Sequence, residues 1–289
     1  GLRTIFALED ALEGQGMEMA NPTRSARREV RNRDYFFTPA FLFFACMAAV
    51  ACGAGLQRVK SNRVQKFAAW GLAFAWLVPF LCNFSSHNRS GDFIARDFAM
   101  NALKSIPQNG VLITYGDNDT FPLWYMQMAE NYRTDVVVIN ESLAYSEWYR
   151  EQVLKNYPDL KIIDNGELKI ENNGREFIRE IIKNNWPGRS VNFMIGASPD
   201  EYKEFSGDMP LVGLVRNLGM DELAADSLLI ANLTKNYRYS EPKARGQEAN
   251  EQTIGIYRYL ARRALAKEPN EEDRGVLMKL IESLDGNVF

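Results

Sequence analysis

The chain has 289 residues, of which 46% are apolar and 25% are charged, and its formal net charge is −3. Nucleic acid is not expected as a partner, because proteins that bind it usually present a basic surface. His87 is the only histidine and the three cysteines fall within apolar stretches, so neither a zinc site nor a disulfide framework is expected. The segment Gly1–Met19 has no signal-peptide pattern, and we expect further protein upstream of it.

Two uncharged stretches near the N-terminus predict membrane-spanning helices. They cover Phe36–Leu56 and Phe67–Phe84. At about 1.5 Å per residue the first is about 30 Å long, which matches the hydrocarbon core of a bilayer. The alternative is a buried hairpin of soluble helices, but such helices usually keep a polar face, and neither stretch has one. Residues 1–35 would be a loop with a basic juxtamembrane segment, and residues 36–84 the membrane part.

Basic residues lie on both sides of the first predicted span and leave its orientation open. The segment Gln57–Lys66 has four cations and no acid, which favours a cytoplasmic loop and an extracytoplasmic domain after the second span. The stretch from Arg24 to Asp34 is also basic, with five arginines and two acids. These arginines either anchor the chain in the cytoplasm or bind an anionic lipid headgroup.

The remaining sequence predicts an α/β domain over residues 85–220 and a helical segment over residues 221–289. Strands and helices alternate, which indicates a three-layer α/β arrangement with C-terminal helices. The predicted helices are Asp92–Ile106, Pro122–Asn131, Ser146–Asn156, Arg175–Asn185, Asp221–Asn236, Glu251–Lys267 and Glu271–Leu284, and the predicted strands are Val111–Tyr115, Asp135–Asn140, Ser190–Ile195 and Leu211–Arg216, with a hairpin over Lys161–Glu171.

The densest polar group, Asp117, Asn118, Asp119 and Thr120, follows the first predicted strand. Ligands of open α/β sheets usually bind at this end of the strands. Asp117 and Asp119 could coordinate a divalent cation, as a metal-dependent hydrolase would require, while Thr120 caps the next helix. Glu141 would join the same edge if the first two strands are parallel neighbours. The alternative is a turn and a helix cap with no ligand. No phosphate loop or catalytic motif is recognised, so no catalytic residue is assigned.

A second polar group lies where the chain leaves the second predicted span. Arg89 and Arg96 are candidates for contact with a lipid phosphate or headgroup. Asp92 and Arg96 are four residues apart on one helix face and can form an ion pair. The alternative is therefore an ion-paired helix start without a ligand.

Several stretches together resemble a known family. The strongest are EVRNRDYFF (Glu29–Phe37), SSHNRSGDFIARDFAMNAL (Ser85–Leu103) and YGDNDTFPLWYMQMAENYRTDVVVINESLAYSEWY (Tyr115–Tyr149). Weaker likeness continues through Asn184–Ser198 and Ile230–Glu241. With these motifs the chain resembles the bacterial membrane-protein family of the domain of unknown function 2723, which is grouped with glycosyltransferase family 117.

The resemblance implies a polytopic inner-membrane enzyme, similar to protein O-mannosyltransferases, that uses a polyprenyl-phosphate sugar donor. The family's catalytic carboxylate typically lies in the first extracytoplasmic loop, upstream of this chain. The chain would then supply the last two spans and an extracytoplasmic domain that contacts a protein or glycan acceptor, with Arg31 and Arg33 near a donor phosphate. The segment Ser85–Asn88 is less acidic than is usual in the family, which puts a metal there in doubt. The alternative is a membrane-tethered, non-enzymatic binding domain for a peptide or glycan.

Overall fold

The computed structural model of the protein describes residues 37–162, 174–197, 202, 204, 205, 207, 209–240 and 248–285. These residues belong to two separate compact units, one ending at Ser90 and one beginning at Gly91. The predicted sites at Arg31 and Arg33 and nearly all of the predicted hairpin Lys161–Glu171 lie outside the described residues.

The first unit consists of two helices long and apolar enough to cross a membrane. The first is α1 (Thr38–Gln57). The second runs through Asn62–Ser85 and comprises α2 (Asn62–Phe74) and most of α3 (Leu77–His87), with a turn at residues 75 and 76. Their most apolar parts bury no residue within the protein, as a lipid-facing surface requires. The two predicted apolar spans therefore form helices of suitable length.

The loop between these helices is shorter than the predicted segment Gln57–Lys66. Only residues 58–61 separate α1 from α2. Arg63 and Lys66 thus lie in the first turns of α2. Residues 62–66 contain neither glycine nor proline, so the helix can begin before the apolar stretch does.

The second unit contains a four-stranded mixed sheet in the order β2-β1-β3-β4. Its strands are β1 (Val111–Thr114), β2 (Val137–Asn140), β3 (Val191–Met194) and β4 (Val215–Asn217). β1 is parallel to β2 and β3, whereas β4 is antiparallel to β3. Every residue of β1, β2 and β3 is buried, as is usual for strands covered on both faces. The predicted mixed α/β fold is confirmed, and the three-layer arrangement stays a prediction.

Seven helices surround or follow the sheet in the described part of this unit: α4 (Ile94–Lys104), α5 (Asp117–Met128), α6 (Glu147–Asn156), α7 (Gly174–Asn185), α8 (Glu222–Ala231), α9 (Glu248–Leu265) and α10 (Glu271–Asp285). α7 shows why they form. Phe177, Ile178, Ile181 and Ile182 repeat on one face and are fully buried in one cluster with the sheet. Each such side chain stabilises the fold by roughly 1.5–3 kcal/mol.

The helix after β1 begins five residues earlier than predicted. α5 starts at Asp117, so the predicted polar turn is its first turn and Pro122 lies inside the helix instead of at its first position. Gly116, in an extended conformation, is the N-cap. The Asp119 carboxyl, at the third helical position, accepts the Gly116 backbone N–H. This hydrogen bond is one half of a capping box and satisfies the Gly116 donor, while glycine supplies no side chain for the other half.

The last strand lies later than the predicted range Leu211–Arg216. The residues before β4 form a tight reversal in which the Val212 N–H donates to the Val215 carbonyl oxygen at 2.9 Å. Gly213 makes the reversal possible, because its φ of +133° is rarely accessible to residues with a side chain. A short run of apolar residues does not distinguish this reversal from a strand.

An ion-paired clamp holds the chain before β2 to the end of α4. Arg133 Nε donates to Asp135 Oδ1 at 2.8 Å, and Arg133 Nη1 donates to the Leu103 carbonyl oxygen at 2.8 Å. The Asn109 N–H donates to the second Asp135 oxygen at 2.9 Å. The guanidinium of Arg133, helped by this N–H, lowers the pKa of Asp135 from 3.8 to about 2.

This clamp should make stability depend on pH in acid. Because the folded pKa of Asp135 lies below its unfolded value, its contribution is complete above about pH 4 and is lost as the pH falls toward 2. Asp135→Asn should lower the free energy of unfolding by about 1–2 kcal/mol at pH 7 and by less at pH 3. Denaturant unfolding of the full chain in detergent measures both values.

Asp159→Asn is the matched control for this measurement. Asp159 pairs with Arg189 at 3.0 Å, but its side chain is 69% exposed, so the change should be below about 0.5 kcal/mol. An Asp135→Asn loss that is the same at pH 3 and pH 7 would contradict the role given to the carboxylate.

Candidate functional site

The carboxyl ends of β1 and β2 lie side by side. The strands are parallel neighbours, with Thr114 opposite Asn140, and the Glu141 N–H donates to the Thr114 carbonyl oxygen at 2.8 Å. Glu141 and the first turn of α5 therefore lie at the same edge of the sheet, which is where open α/β sheets usually bind ligands. Residues 115–125 and 140–149 are called the carboxyl edge below.

A buried hydrogen-bond network holds the carboxyl edge together. The hydroxyl oxygens of Thr114 and Thr120 are 2.7 Å apart, and Asn140 Nδ2 donates to Thr120 Oγ1 at 2.8 Å. Asn140 Oδ1 accepts the Leu143 N–H at 2.8 Å, and the Thr120 hydroxyl donates to the Gly116 carbonyl oxygen at 2.8 Å. Thr120 is therefore not the helix cap that the sequence predicts. It is a buried residue in the fourth helical position.

The polar side chains of the first turn of α5 differ in exposure. Asp117 and Asn118 are exposed, whereas Asp119 is half-buried. Burial raises the pKa of the Asp119 carboxyl, and the hydrogen bond from Gly116 opposes this shift. Carboxylates at this position also stabilise the positive end of the helix dipole. Asp117 and Asn118 are thus the residues of this turn most available to a ligand.

Glu141 is buried directly after β2 and is hydrogen-bonded by a tyrosine 61 residues later in the same chain. Its Oε1 accepts a hydrogen bond from the Tyr202 hydroxyl at 3.0 Å, and the Tyr202 ring stacks on Phe193 at a centroid distance of 5.3 Å. Within the described residues, no group of three histidine, cysteine, aspartate or glutamate side chains could hold a metal ion. In the structure the Glu141 carboxyl accepts a hydrogen bond from Tyr202, and the Asp119 carboxyl accepts one from Gly116.

A row of aromatic side chains lies along the carboxyl edge. Phe121 contacts Trp124 at a centroid distance of 5.8 Å, Trp124 contacts Tyr149 at 6.4 Å, and Tyr149 contacts Trp148 at 5.7 Å. We call these four residues the aromatic row. Phe121 and Trp148 are more than half exposed, at 53% and 57%. Flat apolar faces are thus presented to solvent close to the polar groups of the edge.

The inner member of the row, Tyr149, has a structural role. Its hydroxyl accepts the Asn140 backbone N–H at 2.8 Å, and burial raises its pKa to about 12. It therefore stays protonated at neutral pH. The row is not among the residues predicted from the sequence, although a signal exists: eight of the 35 residues in Tyr115–Tyr149 are aromatic, against 12% in the whole chain.

The two predicted headgroup contacts in the described residues are in different environments. Arg89 is exposed before α4. Arg96, in the first turn of α4, binds Glu130 through two hydrogen bonds of 2.7 and 2.6 Å. The ion pair that the spacing predicts with Asp92 is absent, because Arg96 turns to Glu130 and Asp92 instead accepts from Asn250 Nδ2 at 3.4 Å.

Comparison with known proteins adds a distant relationship. Residues 95–176 match the family model described as TMEM260-associated domain 2. The chain is also 26% identical over 120 residues to mouse (Mus musculus) Protein O-mannosyl-transferase TMEM260. That alignment covers 39% of this chain and only 17% of the mouse protein. No solved structure is significantly similar to the chain. The chain is therefore similar to TMEM260-type proteins, and the family match lies on the segment that contains the carboxyl edge.

Proposed function

We propose that this chain is part of a polytopic bacterial inner-membrane glycosyltransferase of the domain of unknown function 2723 family, with its second unit on the extracytoplasmic side. The enzyme would transfer a sugar from a polyprenyl-phosphate donor, and the carboxyl edge would bind the acceptor. The observation that carries the proposal is the overlap of two features. Residues 95–176, which match the TMEM260-associated domain, contain both the aromatic row and the exposed Asp117 and Asn118.

The charge of the carboxyl edge suits an acceptor better than a phosphate-bearing donor. Asp117, Asp119 and Glu141 supply carboxyl groups, which would repel a phosphate at close range. Arg150 directly follows the carboxyl edge in the sequence. It is buried and donates to the Ala144 carbonyl oxygen at 2.8 Å. Hydroxyl and amide groups of a protein or glycan acceptor can instead donate to these oxygens and pack on the aromatic row.

The donor phosphate is better suited to the arginines near the apolar helices. Arg89 is exposed two residues after α3, and Arg31 and Arg33 precede α1 in the sequence. Arg96 is a weaker candidate, because Glu130 already binds its guanidinium with two charge-assisted hydrogen bonds that a phosphate would have to replace.

Truncation of the aromatic row should weaken acceptor binding alone. Trp148→Ala removes an exposed ring, so the fold should be retained, and the acceptor KM of the full-length enzyme should rise about tenfold, which corresponds to ~1.4 kcal/mol of binding. The donor KM and kcat should stay within about twofold, because the ring would not touch the donor. Transfer of labelled sugar from polyprenyl phosphate to protein, measured in membranes, gives all three constants.

Leu223→Ala serves as the control for Trp148→Ala. Leu223 is a 76% exposed apolar residue of α8, outside the carboxyl edge, and its truncation should change none of the constants. An unchanged acceptor KM in Trp148→Ala, or an increase confined to the donor KM, would overturn the acceptor role.

The competing function is a membrane-tethered, non-enzymatic binding domain. It is favoured by the character of the edge, whose described residues present hydrogen-bonding and aromatic groups that a peptide or glycan can contact. The same assay separates the two functions. Full-length protein that binds a peptide or glycan through the aromatic row but transfers no sugar from polyprenyl phosphate would favour the binding domain.

A further inference from the structure

Helix α5 exposes large apolar side chains along its outer face. Phe121, Tyr125 and Met128 follow one another at spacings of four and three residues and therefore share one face. They are 53%, 54% and 74% exposed, whereas Leu123 and Met126 on the opposite side are fully buried. We call these three exposed residues the outer stripe. Contiguous exposed apolar surface of this kind usually marks a contact with another molecule or with lipid.

The Met128 end of the outer stripe is fixed to the start of α4. Glu130, two residues after α5, binds Arg96 of the first α4 turn through two hydrogen bonds. Tyr125 also hydrogen-bonds to Glu130. The helix end that carries Met128 is therefore held beside the N-terminal turn of α4. Phe93, directly before α4, adds another exposed apolar side chain at 44%.

The segment that joins the two units is short. Residues 88–93 alone separate the end of α3 from Ile94, and seven extended Cα steps span at most about 25 Å. α3 is the final part of a helix long and apolar enough to cross a membrane. If that helix spans the bilayer, Ile94 lies no more than about 25 Å from the end of α3.

We propose that the outer stripe lies against the bilayer, with Met128 and Tyr125 in the interfacial region of the lipid. Tyrosine suits this region because its ring is apolar and its hydroxyl is polar, and methionine adapts to irregular apolar surroundings. A helix with an apolar outer face binds the interface in proportion to the apolar area that it buries there. Arg89, which is exposed and lies five residues before the start of α4, would add attraction to anionic headgroups.

This placement extends the proposed function and shares Phe121 and Tyr125 with the carboxyl edge, but it rests on the exposed face of α5 and on the contact between Glu130 and Arg96. Phe121 lies seven residues from Met128 along α5, or about 10 Å. The α5 part of the carboxyl edge would therefore lie close to the lipid surface, where a lipid-linked sugar is presented. The placement itself does not require any transfer activity, so it can fail or succeed independently.

A nitroxide label at position 128 tests the placement directly. In the full chain, with Cys46, Cys52 and Cys82 replaced by alanine, Met128→Cys is labelled and reconstituted into vesicles of phosphatidylcholine and phosphatidylglycerol. Collision rates with oxygen, which partitions into lipid, and with a water-soluble nickel complex are then measured. The ratio of oxygen to nickel collisions should be at least about fivefold higher at position 128 than for a label at Leu223→Cys.

Position 223 is the matched control because Leu223 is 76% exposed, close to the 74% of Met128. Equal ratios at the two positions would show that the outer stripe faces water and would overturn the proposal. Low collision rates with both reagents at position 128 would show that protein covers it, which would overturn the proposal as well. A label at Phe93→Cys should also give a raised ratio of oxygen to nickel collisions. If the labels at positions 93 and 128 both report exposure to water, the result at position 128 is not a local effect of the label, and the proposal is overturned.

Discussion

Gly213→Ala should destabilise the second unit by about 3 kcal/mol or more, the largest effect we expect from a single added methyl group. Two causes add up. Alanine is strained at a φ of +133°, and its Cβ would overlap the Tyr237 hydroxyl. That hydroxyl cannot easily move, because it accepts the Leu214 N–H at 2.9 Å and hydrogen-bonds with Ser105. Thermal unfolding of the full chain in detergent should show Tm lower by roughly 6–12 °C.

Gly255→Ala is the control for this prediction. Gly255 lies within α9, and a Cβ there would meet no atom within 4 Å, so alanine should be neutral or stabilising by up to about 1 kcal/mol. The double variant Gly213→Ala/Tyr237→Phe should lose less stability than the sum of its single variants, because removal of the hydroxyl relieves the overlap. A wild-type Tm for Gly213→Ala would mean that the reversal before β4 is not formed.

The same glycine shows where sequence patterns stop being informative. β1, β2 and α7 are predicted from local patterns, because continuous apolar runs and a helical repeat of Phe177, Ile178, Ile181 and Ile182 directly reflect burial. The reversal at Gly213 depends on Tyr237, which is 24 residues later in the chain. Contacts between residues so far apart leave no local signal.

The candidate site was predictable to a similar extent. The rule for strand ends in α/β sheets correctly brings the first turn of α5 and Glu141 to one edge. It does not reveal that the Thr120 hydroxyl is buried and hydrogen-bonded within the protein, because this depends on the position of Asn140 on the neighbouring strand. The contact between Trp124 and Tyr149 joins two helices and is likewise invisible to local patterns.

Asn140→Ala should lower the free energy of unfolding by about 2–3 kcal/mol, because it leaves buried groups without partners. Asn140 is 1% exposed and bonds both Thr120 and the Leu143 N–H. Thr120→Val should lower the free energy of unfolding by about as much. The double variant should lose less stability than the sum of the two single variants, by about 1 kcal/mol or more, because both changes break the same hydrogen bond between Asn140 and Thr120. Asn156→Ala, at the exposed end of α6, should change stability by less than about 0.5 kcal/mol.

Asn140→Ala should also act on the carboxyl edge at a distance. The backbone that follows Asn140 passes through the short 3₁₀ helix Leu143–Tyr145, whose first N–H donates to Asn140 Oδ1, and then leads to α6, which carries Trp148. Loosening this segment should raise the acceptor KM of the full-length enzyme several-fold while the donor KM stays unchanged, although Asn140 is too buried to touch either substrate. A combined Asn140→Ala/Trp148→Ala enzyme should then show little further loss, because the ring that Asn140 positions is already gone. Full additivity of the two KM effects would contradict a positioning role for Asn140 and would leave it with a purely structural one.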